Sequence, residues 1–122
     1  MLTLKSLKKV HMIGIKGTGM SGLALLLAKL GIQVTGSDAA DSFLLLQESN
    51  FTKAGITISP DFNAKNISPK LDAIIASSSH LTKNPEIKEA KRLGLQVLTY
   101  ADVVALLSQT YQSIAICGSH GK

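Results

Sequence analysis

The chain has 122 residues, 45% of them hydrophobic, 17% charged and 4% aromatic, with a single cysteine and a formal net charge of +5. That is the size and apolar content of one compact domain, and it excludes a disordered chain, a disulfide framework and a cysteine-based zinc site. The basic residues are dispersed, with Lys8-Lys9 and Lys91-Arg92 the adjacent pairs and few aromatics among them, so no nucleic-acid partner is expected. The longest apolar run, residues 23–28, is too short for a bilayer, and residues 1–5 lack the features of a signal peptide; a cytoplasmic domain with no membrane partner is expected.

In chain order, residues 10–15 form a short apolar run ending in glycine and predict a buried strand. Residues 20–30 predict a helix stopped by Gly31, and residues 32–36 a second strand. Residues 42–53 predict a second helix with Ser42 as N-cap and Gly55 as its stop. Residues 56–58 are a third strand, and residues 60–70 a polar connection with room for one helical turn. Residues 73–76 are a fourth strand. Asn84 caps a helix over residues 85–93, with Pro85 at its first position and Gly94 beyond its end. Residues 95–98 are a fifth strand, residues 101–108 a short helix and residues 113–117 a last strand.

Three pieces repeat one pattern of helix end, glycine and strand: residues 28–34, 53–58 and 92–97. Helices alternating with short apolar strands predict an α/β fold, a Rossmann-like doubly wound parallel sheet of about five strands with helices on both faces. The only break in the pattern is residues 109–112, so residues 1–108 are read as one domain and residues 109–122 as the start of another.

Gly17-Thr18-Gly19-Met20-Ser21-Gly22 is a G-x-G-x-x-G between the first strand and the first helix, with a further glycine at Gly14. Small residues let a backbone approach a diphosphate, and a helix N-terminus presents unpaired N–H groups and partial positive charge. Lys16 adds a cation at the entrance, and Gly22 is expected to permit close helix–strand packing. Asp38 follows the second strand about 20 residues beyond the loop, where an acid accepts hydrogen bonds from ribose hydroxyls; Ser37 is a second candidate. Equally, Asp38 is a common residue for a turn or a cap. These features point to a nucleotide with a diphosphate, with NAD the commonest example.

Ligands of open α/β sheets sit beyond the carboxyl ends of the strands. The fourth strand ends there in Ser77-Ser78-Ser79-His80, small hydrogen-bonding groups suited to a base or sugar, or simply a polar loop before Asn84. His80 has no carboxylate or second histidine at a metal spacing. His11, inside the first strand, reads as structural, and Cys117 as a small hydrophobe.

The last strand runs into Gly118-Ser119-His120-Gly121-Lys122. A glycine-rich turn ending in lysine after a buried strand is the front of an ATP phosphate cradle, whose next residue should be a Ser or Thr that holds Mg²⁺. The spacing is shorter than the general G-x-x-x-x-G-K. Here a family resemblance becomes specific. The block from His11 to Ala24, then Val34-Thr35-Gly36-Ser37-Asp38, then Ser77-Ser78-Ser79 with Asn84-Pro85-Glu86-Ile87, and finally Gly118 to Lys122 together resemble the start of the Mur ligases, most of all their L-alanine-adding branch.

That resemblance implies a three-domain enzyme of peptidoglycan-precursor synthesis. Its first domain holds the UDP part of UDP-N-acetylmuramate, its second binds ATP and Mg²⁺, and its third receives the amino acid. ATP activates the muramate carboxylate as an acyl phosphate, and the amine of L-alanine attacks to give an amide, ADP and phosphate. Carried onto this chain, Gly17, Thr18, Gly19, Met20 and Ser21 face the diphosphate with Lys16 beside them. Ser37 and Asp38 lie near the ribose, the Ser77, Ser78, Ser79 and His80 loop near the uridine, and Gly118, Ser119, His120, Gly121 and Lys122 face the ATP phosphates.

Two positions depart from the family pattern: Lys16 stands where another glycine is frequent, and Ser119 where threonine is frequent. The chain is expected to be an N-terminal fragment that cannot catalyse ligation and holds no cofactor tightly, with residues 118–122 mobile for want of their own sheet. Two alternatives remain at this stage. One is the relative within the family that returns a murein tripeptide to UDP-N-acetylmuramate. The other is an NAD- or nucleotide-sensing regulatory Rossmann domain, against which the second phosphate loop argues.

Overall fold

The computed structural model describes residues 3–39 and 48–110. Five strands, β1 (Lys9–Ile13), β2 (Gln33–Ser37), β3 (Thr57–Ser59), β4 (Ala73–Ala76) and β5 (Gln96–Thr99), form one parallel sheet in the order β3-β2-β1-β4-β5. The helices are α1 (Thr18–Lys29), α2 (Glu48–Ala54), α3 (Pro85–Arg92) and α4 (Tyr100–Thr110). The register sets Val10 beside Val34 and Ala73, and Ile75 beside Leu98.

The expected five-stranded α/β sheet is present, and its side chains divide between two cores as parallel crossovers require. Val10 and Met12 of β1, Val34 of β2 and Ile75 of β4 point to the face covered by α1, α2 and α4, where Leu23, Leu27, Phe51, Val103 and Leu107 meet them. Ile13, Ile74 and Ala76 point to the other face, against Ile87 and Ala90 of α3 and the connection carrying Ile67 and Leu71. All four residues of β4 are buried because both of its faces are covered.

The element ends follow local chemistry. Asn84 caps α3 as expected, its Oδ1 accepting from the Glu86 N–H at 2.8 Å, with Pro85 following. Asp72 ties the sheet's amino end together: its Oδ2 accepts the N–H groups of Lys8 and Lys9, each at 2.8 Å. The repeated glycines each close a helix with positive φ: Gly31 at 92°, Gly55 at 77° and Gly94 at 74°. The expected helical turn in the polar connection is a 3-10 turn at Ala64–Asn66.

Two helices start earlier than the apolar pattern predicts. α1 begins at Thr18 because Gly17 serves as its N-cap. α4 begins at Tyr100 because Thr99 and Asp102 cap it reciprocally: the Thr99 N–H donates to Asp102 Oδ2 at 2.9 Å and the Asp102 N–H to Thr99 Oγ1 at 3.1 Å. The expected cap at Ser42, the first part of the helix over residues 42–53, the strand over residues 113–117 and the loop from Gly118 to Lys122 lie outside the described residues.

Candidate functional site

The sheet's order places β1 and β4 side by side while the chain leaves them for opposite faces, and the crevice between their carboxyl ends is where such folds hold ligands. The glycine-rich turn is built at this point. Gly14 and Ile15 both donate their N–H groups to the Ser37 carbonyl, at 2.9 and 3.2 Å, and the Gly17 N–H returns to the Gly14 carbonyl at 3.2 Å. Intrahelical bonding in α1 starts with the Ser21 N–H on Gly17 O at 2.7 Å. The N–H groups of Thr18, Gly19 and Met20 come before it, at the positive end of the helix dipole.

Gly14 is a position where both backbone conformation and space favour glycine. Its φ is +79°, and a β-carbon there would lie 2.6 Å from His80 Cδ2 and 2.7 Å from Ser77 Oγ. The loop after β4 is therefore seated directly on the glycine-rich turn. Ser77 donates its N–H to Ile13 O at 3.2 Å, and the His80 N–H closes a 3-10 turn on Ser77 O at 3.0 Å. The His80 ring leans on Phe62, with centroids 4.8 Å apart. Ser78 is exposed, and Ser79 belongs to the same turn.

On the other flank, Asp38 follows β2. Its carboxylate Oδ2 accepts the Lys16 N–H at 2.9 Å, while its own N–H reaches Ser59 O at 3.1 Å. The structure thus gathers Lys16, Gly17, Thr18, Gly19, Asp38, Ser77, Ser78 and His80 along one edge. Thr18 and Gly19 are exposed, and Lys16 and Asp38 half-buried. Met20 and Ser21 belong to the same turn, but their side chains face away: Met20 lies in the core and the Ser21 hydroxyl donates to Thr18 O at 3.1 Å.

Two expectations about side chains need revision. Gly22 does not make the close helix–strand contact: it is exposed, and a β-carbon there meets nothing within 4 Å. The close approach is at Gly36, where a β-carbon would be 2.8 Å from Cβ and Cγ2 of Ile15. Ser37, expected beside a ribose, is fully buried, and its hydroxyl donates to Glu86 Oε1 at 2.6 Å.

That bond belongs to a buried polar cluster beneath the edge. His11 Nε2–H donates to Glu86 Oε1 at 2.8 Å, and His11 Nδ1 lies 2.8 Å from Thr35 Oγ1. Glu86 Oε2 accepts Asn66 Nδ2–H at 2.7 Å and the Asn63 N–H at 3.0 Å. Burial alone raises the Glu86 carboxyl, but the hydrogen bonds from His11, Ser37, Asn66 and Asn63 outweigh it and hold the group below the ordinary glutamate value. His11 is structural, as expected; the central position of Glu86 was not anticipated.

Tyr100 was missed as well. It opens α4 at the carboxyl end of β5, and its ring lies 3.4 Å from where a β-carbon on Gly19 would stand. Its signal in the sequence was its place, directly after a strand on the ligand-facing edge. Among the described residues, no group of three or more His, Cys, Asp and Glu is placed to hold a metal ion, and no helix is long and apolar enough to cross a membrane. The ATP-facing residues expected from Gly118 to Lys122 lie outside the described residues.

With this geometry in hand, comparisons with known proteins converge. The family model described as "Mur ligase family, catalytic domain" matches residues 9–112. UDP-N-acetylmuramate–L-alanine ligase of Treponema pallidum is 40% identical over 115 residues, 93% of this chain and 24% of that protein. The enzyme of the same name from Lacticaseibacillus casei is 42% identical over 112 residues, 92% of this chain and 25% of that protein.

Among solved structures, UDP-N-acetylmuramate-alanine ligase from Thermotoga maritima superposes with a TM-score of 0.73 at 27% identity, covering 84% of this chain and 23% of that one. A murein peptide ligase from Psychrobacter arcticus gives 0.72 at 28% identity, covering 84% of this chain and 20% of that one. The chain spans about a quarter of the length of the curated relatives it matches. Both the motif order and the fold agree with these matches, and the chain belongs to the Mur ligase family.

Proposed function

We propose that the carboxyl edge of the sheet binds the UDP part of UDP-N-acetylmuramate for an ATP-dependent ligase that adds L-alanine in cytoplasmic peptidoglycan-precursor synthesis. The observation that carries this reading is the glycine-rich turn at the β1–β4 crevice, with the N-terminus of α1 open between Asp38 and the Ser77–His80 loop. A diphosphate set on the N–H groups of Thr18, Gly19 and Met20 gains charge-assisted hydrogen bonds and the helix dipole. Gly17 and Ser21 frame that seat, and Lys16 adds a cation beside it. Asp38 lies toward the ribose with Ser37 behind it, and Ser77, Ser78, Ser79 and His80 lie toward the uridine.

Residues 1–108 form the UDP-binding unit in this reading, and residues 109–122 begin the ATP-binding part, with Gly118, Ser119, His120, Gly121 and Lys122 on the ATP phosphates. ATP and Mg²⁺ supply carboxylate activation in the longer enzyme, and this chain alone is inactive. Calorimetric titration with UDP-N-acetylmuramate, UDP and NAD tests the first step: binding of the uridine compounds and not NAD is expected, and preference for NAD refutes the reading.

A second reading is favoured by the fold match to a murein peptide ligase, whose matched region resembles this chain as closely as that of the alanine ligase does. Both share the UDP-sugar, so the acceptor separates them. ATP-dependent ligation by the longer protein, offered L-alanine or a murein tripeptide, distinguishes the two.

A further inference from the structure

Tyr100 stands at the rim of the proposed site. It is the first residue of α4 and is 43% exposed. Its Cε1, Cζ and hydroxyl oxygen lie 3.4, 3.5 and 3.8 Å from where a β-carbon on Gly19 would stand. Among the described residues no partner takes its hydroxyl. The first residue of α4 therefore reaches the first turn of α1, with its aromatic ring and phenol oxygen beside Gly19, the second residue of that helix.

A phosphate held on the N–H groups of the α1 N-terminus would have that phenol as a neighbour, since its oxygen stands 3.8 Å from the Gly19 β-carbon position. A phenol donates readily to an anion, and such charge-assisted O–H bonds are short and strong. Tyr100 and Val104, one helical turn apart, are the large apolar residues left exposed among those described. The Tyr100 ring nevertheless turns to Gly19, so its exposure belongs to the site's rim and not to a separate apolar face of α4.

We propose that Tyr100 is a binding residue for the diphosphate of a nucleoside diphosphate sugar: its ring walls the phosphate seat on the β5 side, and its hydroxyl donates to a diphosphate oxygen. This rests on the reading of the edge as a UDP site. A ring that merely seals the end of α1 has no use for the hydroxyl, so Tyr100→Phe separates the two roles while keeping the packing on Gly19.

The experiment titrates the 122-residue chain and its Tyr100→Phe variant with UDP and with uridine, after matching their melting temperatures. UDP affinity should fall by about tenfold in the variant, as for a lost hydrogen bond to a charged group, with uridine affinity unchanged. The chain has two tyrosines and no tryptophan, so in a Tyr111→Phe background Tyr100 is the sole source of tyrosine emission, and UDP should alter it. A variant that binds UDP within about twofold of the parent overturns the proposal, as does equal loss of uridine affinity or a Tyr100 emission indifferent to UDP. A parent chain that binds no UDP overturns the nucleotide reading and this proposal with it.

Discussion

Replacing Glu86 with alanine should cost the chain about 3 kcal/mol, the scale of leaving buried hydrogen-bond donors without their acceptor. The magnitude follows from which partners can find water. The Glu86 carboxylate accepts four hydrogen bonds, from His11 and Ser37 on one oxygen and from Asn66 and Asn63 on the other. Asn63 is exposed and Asn66 half-buried, so their donors turn to solvent when the carboxylate is removed. His11 is 1% exposed and Ser37 0%, so theirs cannot. They can turn only to each other, with His11 Nε2 3.3 Å from Ser37 Oγ, which leaves at least one buried donor unpaired at about 1–3 kcal/mol on top of the space the side chain vacates.

Glu86→Gln keeps the volume and one accepting oxygen, which serves the inner pair, and should cost about half as much. Urea unfolding followed by circular dichroism measures both variants against a total stability on the order of 5–15 kcal/mol. Glu86→Ala within about 1 kcal/mol of the parent, with the same denaturant slope, refutes the reasoning. The same bonds set a pH dependence. The folded-state value lies below the ordinary 4.5, so the stability from Glu86 is fully present above about that pH and is lost as pH falls through the lower folded value. Glu86→Gln should remove that part of the acid sensitivity. It leaves the part from Asp72, whose carboxyl is lowered by the N–H groups of Lys8 and Lys9.

Gly14→Ala should destabilise by about 2–4 kcal/mol, combining a strained φ with displacement of Ser77 and His80, and should weaken UDP binding in a titration; a neutral effect on melting disproves the tight seat. Gly22→Ala should be tolerated and should stabilise by about 0.5–1 kcal/mol, because its β-carbon meets nothing and alanine favours the helix; a loss in urea unfolding restores the packing role first expected for it. Lys16→Ala should weaken UDP binding about fivefold at low salt and less at high salt, and unchanged affinity at low salt shows that the cation does not face the diphosphate.

The fold was legible because its signals are local. β4 lies where the apolar run places it, Asn84 caps α3, and the repeated glycines close their helices. The glycine-rich turn was legible for the same reason: its spacing between a strand and a helix is a contiguous pattern. What escaped was long-range. Glu86 meets His11 across 75 positions and Ser37 across 49, and nothing in the local pattern distinguishes it from a solvated acid in the first turn of a helix. Tyr100 reaches Gly19 only because α1 and α4 both start at the carboxyl edge of one sheet, after β1 and β5, the two strands that flank β4. Gly22 was misjudged because a motif position was read as a packing position, while close packing falls on Gly14 and Gly36, which receive side chains from other elements.

Ser37 explains why the buried cluster matters to the surface above it. Its hydroxyl donates inward to Glu86, and its carbonyl accepts the N–H groups of Gly14 and Ile15, the first two residues of the turn. One residue thus fastens the glycine-rich turn to a carboxylate that is itself fixed by β1, α3 and the connection after β3. A turn that presents N–H groups to an anion gains affinity by being set before the ligand arrives, since ordering it afterwards subtracts from binding. His11 and Glu86 have no exposed surface with which to touch a ligand, so their effect on the edge runs through Ser37. The charge buried beneath the sheet's edge and the glycines on top of it are therefore parts of one device, and a change at Glu86 should reach UDP affinity as well as stability.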